Sequence, residues 1–223
     1  MGRIYVSKVA IASLLVGLGL FNIVLPAYAE SVHAPPPPTP NLPGKPDRRK
    51  DLDIGLQMGE FRLHFERTTL AHVQRLLGSG RIDTQGEAGE AILWLCYTVQ
   101  GEKGDERLWI ISGSEMGGSD HSVTSIVGES NVRDTPGELC PMLPTAMSPI
   151  ASGNGIWIGS SLQTVLKAFG SPTRKDGAWY VYLYEGKVPG RCQPSGFDRD
   201  KWLAMRVIEG RIVEIHAGQT TTC

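Results

Sequence analysis

The sequence predicts an α+β fold of two β-α-β-β-β units, each a short helix packed on an antiparallel meander. Three observations carry this reading. Two stretches have helical apolar spacing between a hydroxyl cap and a glycine stop. Each is followed by three runs of strand-like composition. The two stretches also align with one another across the helix without a gap.

Taken in order, residues 1–29 read as a secretory signal. Arg3 and Lys8 supply the positive start, residues 9–25 are apolar and uncharged, and Ala27-Tyr28-Ala29 follows Pro26 as an A-x-A cleavage site. The expected compartment is the bacterial periplasm or the medium, with no stable membrane insertion after cleavage. An uncleaved anchor is the alternative, since the apolar run approaches membrane-spanning length. The first cysteine is Cys96, so no lipid-anchoring cysteine stands at the cleavage point.

Residues 30–50 read as a proline-rich linker. Pro35 to Pro38 form an unbroken run, Pro40, Pro43 and Pro46 follow, and Asp47-Arg48-Arg49-Lys50 closes the segment. Such a composition has little to bury and favours an extended spacer. A proline-rich ligand for a recognition domain is the other use of such a run.

The first unit is placed at residues 51–131. Phe61-Arg62-Leu63-His64-Phe65 alternates as a strand does. The helix follows over residues 69–78, with Leu70, Val73 and Leu77 on one face and Gly78 at its end. Strands are expected at 92–99, 107–112 and 122–127. A connection rich in proline and glycine, 132–155, leads to the second unit at 156–223.

In that unit Ile156-Trp157-Ile158 is the expected first strand. Ser160 or Ser161 caps a helix in which Leu162, Val165, Leu166 and Phe169 share a face. Gly170 and Pro172 stop it. Strands are expected at 179–184, 202–208 and 211–216, the last two joined by the tight turn Glu209-Gly210. One such unit alone has too small a core for comfortable stability; two can share a longer sheet or pack face to face.

Four cysteines in an exported chain predict two disulfides, with three possible pairings. A meander brings the 185–201 loop and the chain end to one edge, which favours Cys192–Cys223. Cys96–Cys140 is then left within the first unit.

The second helical stretch resembles a family motif. Ile158-Gly159-Ser160-Ser161, then Val165, Phe169, Gly170 and Pro172, is similar to the signature of SmpA/OmlA (BamE-like) domains. The tandem arrangement is similar to β-lactamase inhibitory proteins, which are built from two such units. The first unit departs from the motif, with Arg67 in place of glycine and Ser79-Gly80 in place of serine-proline. The resemblance implies a protein-binding role, as an envelope scaffold or an enzyme inhibitor, with an envelope or secreted protein as partner.

No catalytic residue, metal site or cofactor is expected, and the chain reads as a non-enzyme. His33, His64, His72, His121 and His216 have no metal-ligand spacing. No nucleophile elbow or phosphate loop is present. Asp198 and Asp200 flank Arg199 in what reads as a solvated loop. The net charge of −1 has no basic stripe, so no nucleic-acid partner is expected.

Aromatic residues supply the candidate binding surface. Period two puts Trp179, Val181 and Leu183 on one face, expected to meet the helix, and Tyr180, Tyr182 and Tyr184 on the other. Trp94 and Trp109 are expected to extend the tyrosine face, with Trp157 and Trp202 nearer the core. Packing against the other unit is the competing use of the tyrosines. A glycan or small-molecule site is the alternative function, and an unrecognised hydrolase a more distant one.

Overall fold

The structure, a computed structural model, describes residues 34–36, 51–87, 91–102, 104–113, 120–130, 137, 139–190 and 196–223. The expected signal peptide, most of the expected linker and Cys192 lie outside them. Residues from His33 to Cys223 form one compact unit. It is α+β: mainly antiparallel sheet, with two short α-helices among the described residues. Neither helix is long and apolar enough to cross a membrane.

The elements in chain order are β1 (Leu56–Met58), β2 (Phe61–Leu63), α1 (Leu70–Leu77), β3 (Asp83–Gln85), β4 (Ile92–Gly101), β5 (Gly104–Gly113) and β6 (Ser125–Ser130). After these come β7 (Ile150–Ser152), α2 (Leu162–Phe169), β8 (Arg174–Asp176), β9 (Trp179–Val188), β10 (Phe197–Ile208) and β11 (Arg211–Thr222). An eight-stranded sheet runs in the order β3-β4-β5-β6-β11-β10-β9-β8, antiparallel throughout; β1, β2 and β7 form a separate three-stranded sheet.

Local chemistry accounts for the helix boundaries. Thr69 Oγ1 accepts from the His72 N–H, and Ser161 Oγ from the Thr164 N–H, each satisfying a first-turn donor that has no partner within the helix. Gly78 and Gly170 close the helices at positive φ, 66° and 77°, where a Cβ would be strained. Leu70, Val73 and Leu77 are buried on α1, and Val165 and Phe169 on α2. Leu166, expected on the packed face, is 38% exposed.

Of the two expected first strands, one is shortened and the other displaced. The Phe61–Phe65 run pairs only through Leu63, with β1. Ile156-Trp157-Ile158 is not a strand; Ser152 N–H donates to Ile156 O across a turn, and the strand is the preceding Ile150–Ser152. The β10–β11 hairpin does turn at Glu209-Gly210, with both φ values positive, at 49° and 74°, as its tight turn requires.

The main core lies between the sheet and the helices. Leu95, Ile110, Ile126, Ala217, Leu203 and Tyr182 are cross-strand neighbours from β4 to β9 and all belong to it. They meet Leu70, Val73, Val165, Phe169 and Trp157.

Candidate functional site

Register assigns the other side chains of the sheet to its outer face. One row runs Cys96, Trp109, Val127, His216, Ala204, Val181; the next runs Trp94, Ile111, Ser125, Gly218, Trp202, Leu183. At the β4–β5–β6 end, Trp94, Cys96, Trp109, Ile111, Val127 and Cys140 form a second apolar cluster. No residue of either helix or of the three-stranded sheet belongs to it. The disulfide Cys96–Cys140 lies within it, as the sequence reading placed it. Cys223 is also disulfide-bonded; Cys192, its expected partner, is outside the described residues.

The expected facing of β9 is reversed. Tyr182 is buried, its ring lies 5.4 Å from that of Phe169, and its hydroxyl donates to Gly170 O at 2.9 Å. Tyr180 and Tyr184 are partly buried against the same core. Tyr182 therefore meets α2 and the tyrosines share the inner face, while Trp179, Val181 and Leu183 face outward. The reason is the end of α2, whose last carbonyls lack helical partners; the Tyr182 phenol supplies one. Burial, followed by the nearby Tyr180, pushes the Tyr182 phenol up to about 12. Tyr97 repeats the arrangement on β4, donating to Ser79 O just past α1 at 2.8 Å, and burial raises its phenol as well.

Consequently the five candidate residues are not brought together. Tyr180, Tyr182 and Tyr184 lie on the helix side, and Trp94 and Trp109 on the outer side. Trp157 is core as expected, and its Nε1 donates to Glu106 Oε2 at 2.9 Å. Trp202 is instead half-buried on the outer face, over Gly218.

The outer face also carries a row of charges that sequence spacing did not reveal. Thr98, Arg107, Glu129, Glu214, Arg206 and Trp179 are successive cross-strand neighbours. Arg206 Nε donates to Glu214 Oε2 at 2.7 Å, and His216 Nε2 lies 2.8 Å from Glu214 Oε1. The Trp179 and His216 rings meet edge-on at 5.6 Å. Burial pushes the Glu214 carboxyl up, but the hydrogen bonds to His216 and Arg206 outweigh it and hold the group below the ordinary glutamate value. Glu129 is raised, by burial first and then by the Glu214 charge, against the pull of Arg206, His216 and Arg107. Beyond Trp202 the face becomes acidic, with Glu185, Asp198 and Asp200; burial and then those two neighbours raise Asp200. Asp198 and Asp200 thus belong to β10, not to a loop.

On the helix side, a cleft of about 340 Å³ opens where residues 51–55 and 62–67 meet the end of β10. Arg62, Arg67, Arg199 and Lys201 line it with Asp51 and Asp53. Lys201 pairs with Asp51 and Arg62 with Asp53, each at 2.6 Å. Arg199 Nε is buried without a hydrogen-bond partner. Four cations against two carboxylates leave the lining positive. Among the described residues no three metal-ligating side chains are clustered, and His72 stacks on Phe61 with ring centres 5.8 Å apart.

No family model, curated protein or solved structure matches this chain.

Proposed function

We propose that the chain is an exported, non-enzymatic protein-binding module of the bacterial periplasm or medium, serving as an enzyme inhibitor or envelope scaffold. It consists of two copies of one BamE/BLIP-like unit, the β-α-β-β-β plan with a further three-residue edge strand (β3, β8) after each helix, joined where β6 meets β11. Supporting the repeat, the sheet has the same order read inward from either edge: a three-residue strand, two long strands, then the last strand of the meander. Each half has an eight-residue helix with a hydroxyl cap and a positive-φ glycine stop. Each also has a tyrosine on its first long strand that donates to a carbonyl just beyond its helix.

The observation that carries the binding role is the outer face of the second half. Trp179, Leu183 and Trp202 are half-buried there, with Arg206 on one side and Asp200 on the other. Large aromatics with charges around them supply contact area, anchors and orientation in protein interfaces. The partner is an envelope or secreted protein. Crosslinking the mature chain to an envelope extract tests this. Trp202→Ala and Asp200→Lys should each abolish the captured band while leaving the melting temperature within a few degrees. Unchanged capture by both variants rules the surface out.

A second reading, binding of an anionic glycan or small molecule, is favoured by one observation: the positive cleft with its unpartnered Arg199 Nε. Retention on an acidic polysaccharide that Arg199→Ala loses and Trp202→Ala keeps would support this reading over the first.

A further inference from the structure

The segment that composition marks as a spacer contains a buried stretch. Ala34 packs against the outer-face cluster of Trp94, Trp109, Ile111, Val127 and the Cys96–Cys140 disulfide, and Pro35 beside it is buried. A spacer would leave both in water.

The surface under this stretch has the chemistry of proline recognition. It offers two tryptophans, with Trp94 1% exposed and Trp109 4%. Trp94 Nε1 is buried with no hydrogen-bond acceptor even with this stretch in place, so the contact rests on apolar and aromatic packing. A polyproline segment has a fixed φ, and little chain entropy is lost when it docks. Aromatic-lined grooves elsewhere take proline-rich segments for these reasons.

We propose that the outer face around Trp94 and Trp109 is a groove for polyproline peptides, filled in cis by the chain's own Ala34-Pro35-Pro36. The proline run that suggested a ligand for a recognition domain then has that domain in the same chain. The strap fixes the N-terminal segment to the first half of the sheet and closes the groove to other proline-rich peptides. Residues 37–50 tie it to the folded unit, and a tether of that length gives an effective concentration of roughly millimolar. A free peptide therefore enters the groove only at comparable concentrations, unless the strap is released. The proposal does not depend on the function proposed above, which rests on β9 and β10.

The test uses the full mature chain and its Pro35→Glu variant, with far-UV circular dichroism confirming the fold of each. Release of the strap should shift tryptophan emission to the red and raise its quenching by acrylamide. A synthetic peptide of residues 31–40 should then reverse both changes saturably. Its apparent affinity for the variant should be about tenfold or more above that for the wild-type chain, where the strap competes. The same peptide with its prolines replaced by alanine should have no effect. Trp94→Phe in the Pro35→Glu chain should abolish the peptide response, and Trp109→Phe serves if Trp94→Phe does not fold. Unchanged emission on release, or equal reversal by the alanine peptide, overturns the groove. A concentration-dependent wild-type dimer in sedimentation, lost in Pro35→Glu, overturns occupation in cis and makes the occupant a second copy.

Discussion

Replacing Gly128 with alanine tests how closely Trp157 is wedged beneath the centre of the sheet. Gly128 lies on β6, opposite Leu108 of β5 and Ile215 of β11. A Cβ there would fall 2.7 and 2.9 Å from two atoms of the Trp157 ring and 2.9 Å from Ile215 Cγ2. Optimal carbon–carbon separations are about 3.5–4.0 Å, so all three are overlaps. Ile215 is buried in the middle of its strand. Trp157 is held by its buried hydrogen bond to Glu106. Overpacking of this kind costs about 1–3 kcal/mol, and swinging the indole away instead leaves Glu106 unpaired at about 1–3 kcal/mol. A loss of about 1–3 kcal/mol is expected in urea unfolding, which for a domain of this size lowers Tm by roughly 2–12 °C. Gly218→Ala is the decisive comparison. By distance its clash is worse, 2.1 Å to Trp202 Cζ2. But Trp202 is half-buried on the outer face and its indole makes no hydrogen bond among the described residues, so the ring can lift outward. The expected cost is below about 1 kcal/mol. If Gly218→Ala costs more than Gly128→Ala, or Gly128→Ala stays within about 0.5 kcal/mol of wild type, the reasoning from tethered against free indoles is wrong.

The outer charge row should give opposite pH signatures. Glu214 is depressed in the folded chain, so its contribution is full above the ordinary glutamate value and is lost as pH falls through its folded value. Glu129 is raised, so its charge opposes folding at neutral pH, and that penalty disappears once the folded chain is protonated. Paired melts should therefore show Glu214→Gln below wild type and Glu129→Gln above it at about pH 7, with both differences shrinking towards about pH 3; shifts of the same sign at neutral pH would refute the assignment. The Cys96–Cys140 bridge closes a sequence separation of 44 residues, for which chain entropy alone gives about 4 kcal/mol. The double variant Cys96→Ala/Cys140→Ala should lose roughly 3–4 kcal/mol in urea unfolding, and a loss below about 1 kcal/mol would show that the loop is restrained by other contacts.

What the sequence made legible is what neighbouring residues decide. A hydroxyl before an apolar period and a glycine after it placed both helices, because each end group must find a partner within a few residues. The strand cores were legible as well, but β11 runs on to Thr222 and β10 begins at Phe197. Those extensions are polar and carry no period; pairing such as Asp198 with Thr222 fixes them. Ile156-Trp157-Ile158 looked like a strand because three apolar residues in a row suit a buried one. Here a turn points Ile156 and Trp157 into the core instead. The facing of β9 was not legible for a different reason. Alternation divides a strand into two sets, but the covering helix, not composition, decides which set is inside. The informative signal was the unsatisfied carbonyl at Gly170, within reach of a tyrosine hydroxyl twelve residues later.

The charge row shows the other limit. Arg107, Glu129, Glu214 and Arg206 come from four strands, and nothing in the spacing along each strand relates one to another. Only the register of β5, β6, β11 and β10 places them side by side. Arg107, Glu214 and His216 are also buried, and buried charges are poor devices for stability: well-packed apolar replacements are often neutral or better. On the face that carries Trp179 and Trp202 they can serve selectivity, since a fixed, partly desolvated row with two carboxylates between two cations rewards a partner that matches it and penalises one that does not. Interaction with such a partner would then depend on salt and pH through the charge row, whereas the strap over Trp94 and Trp109, held by apolar packing, would respond to neither. On the two proposals made above, the two ends of this sheet face act separately, and Arg206→Glu and Pro35→Glu should affect them independently.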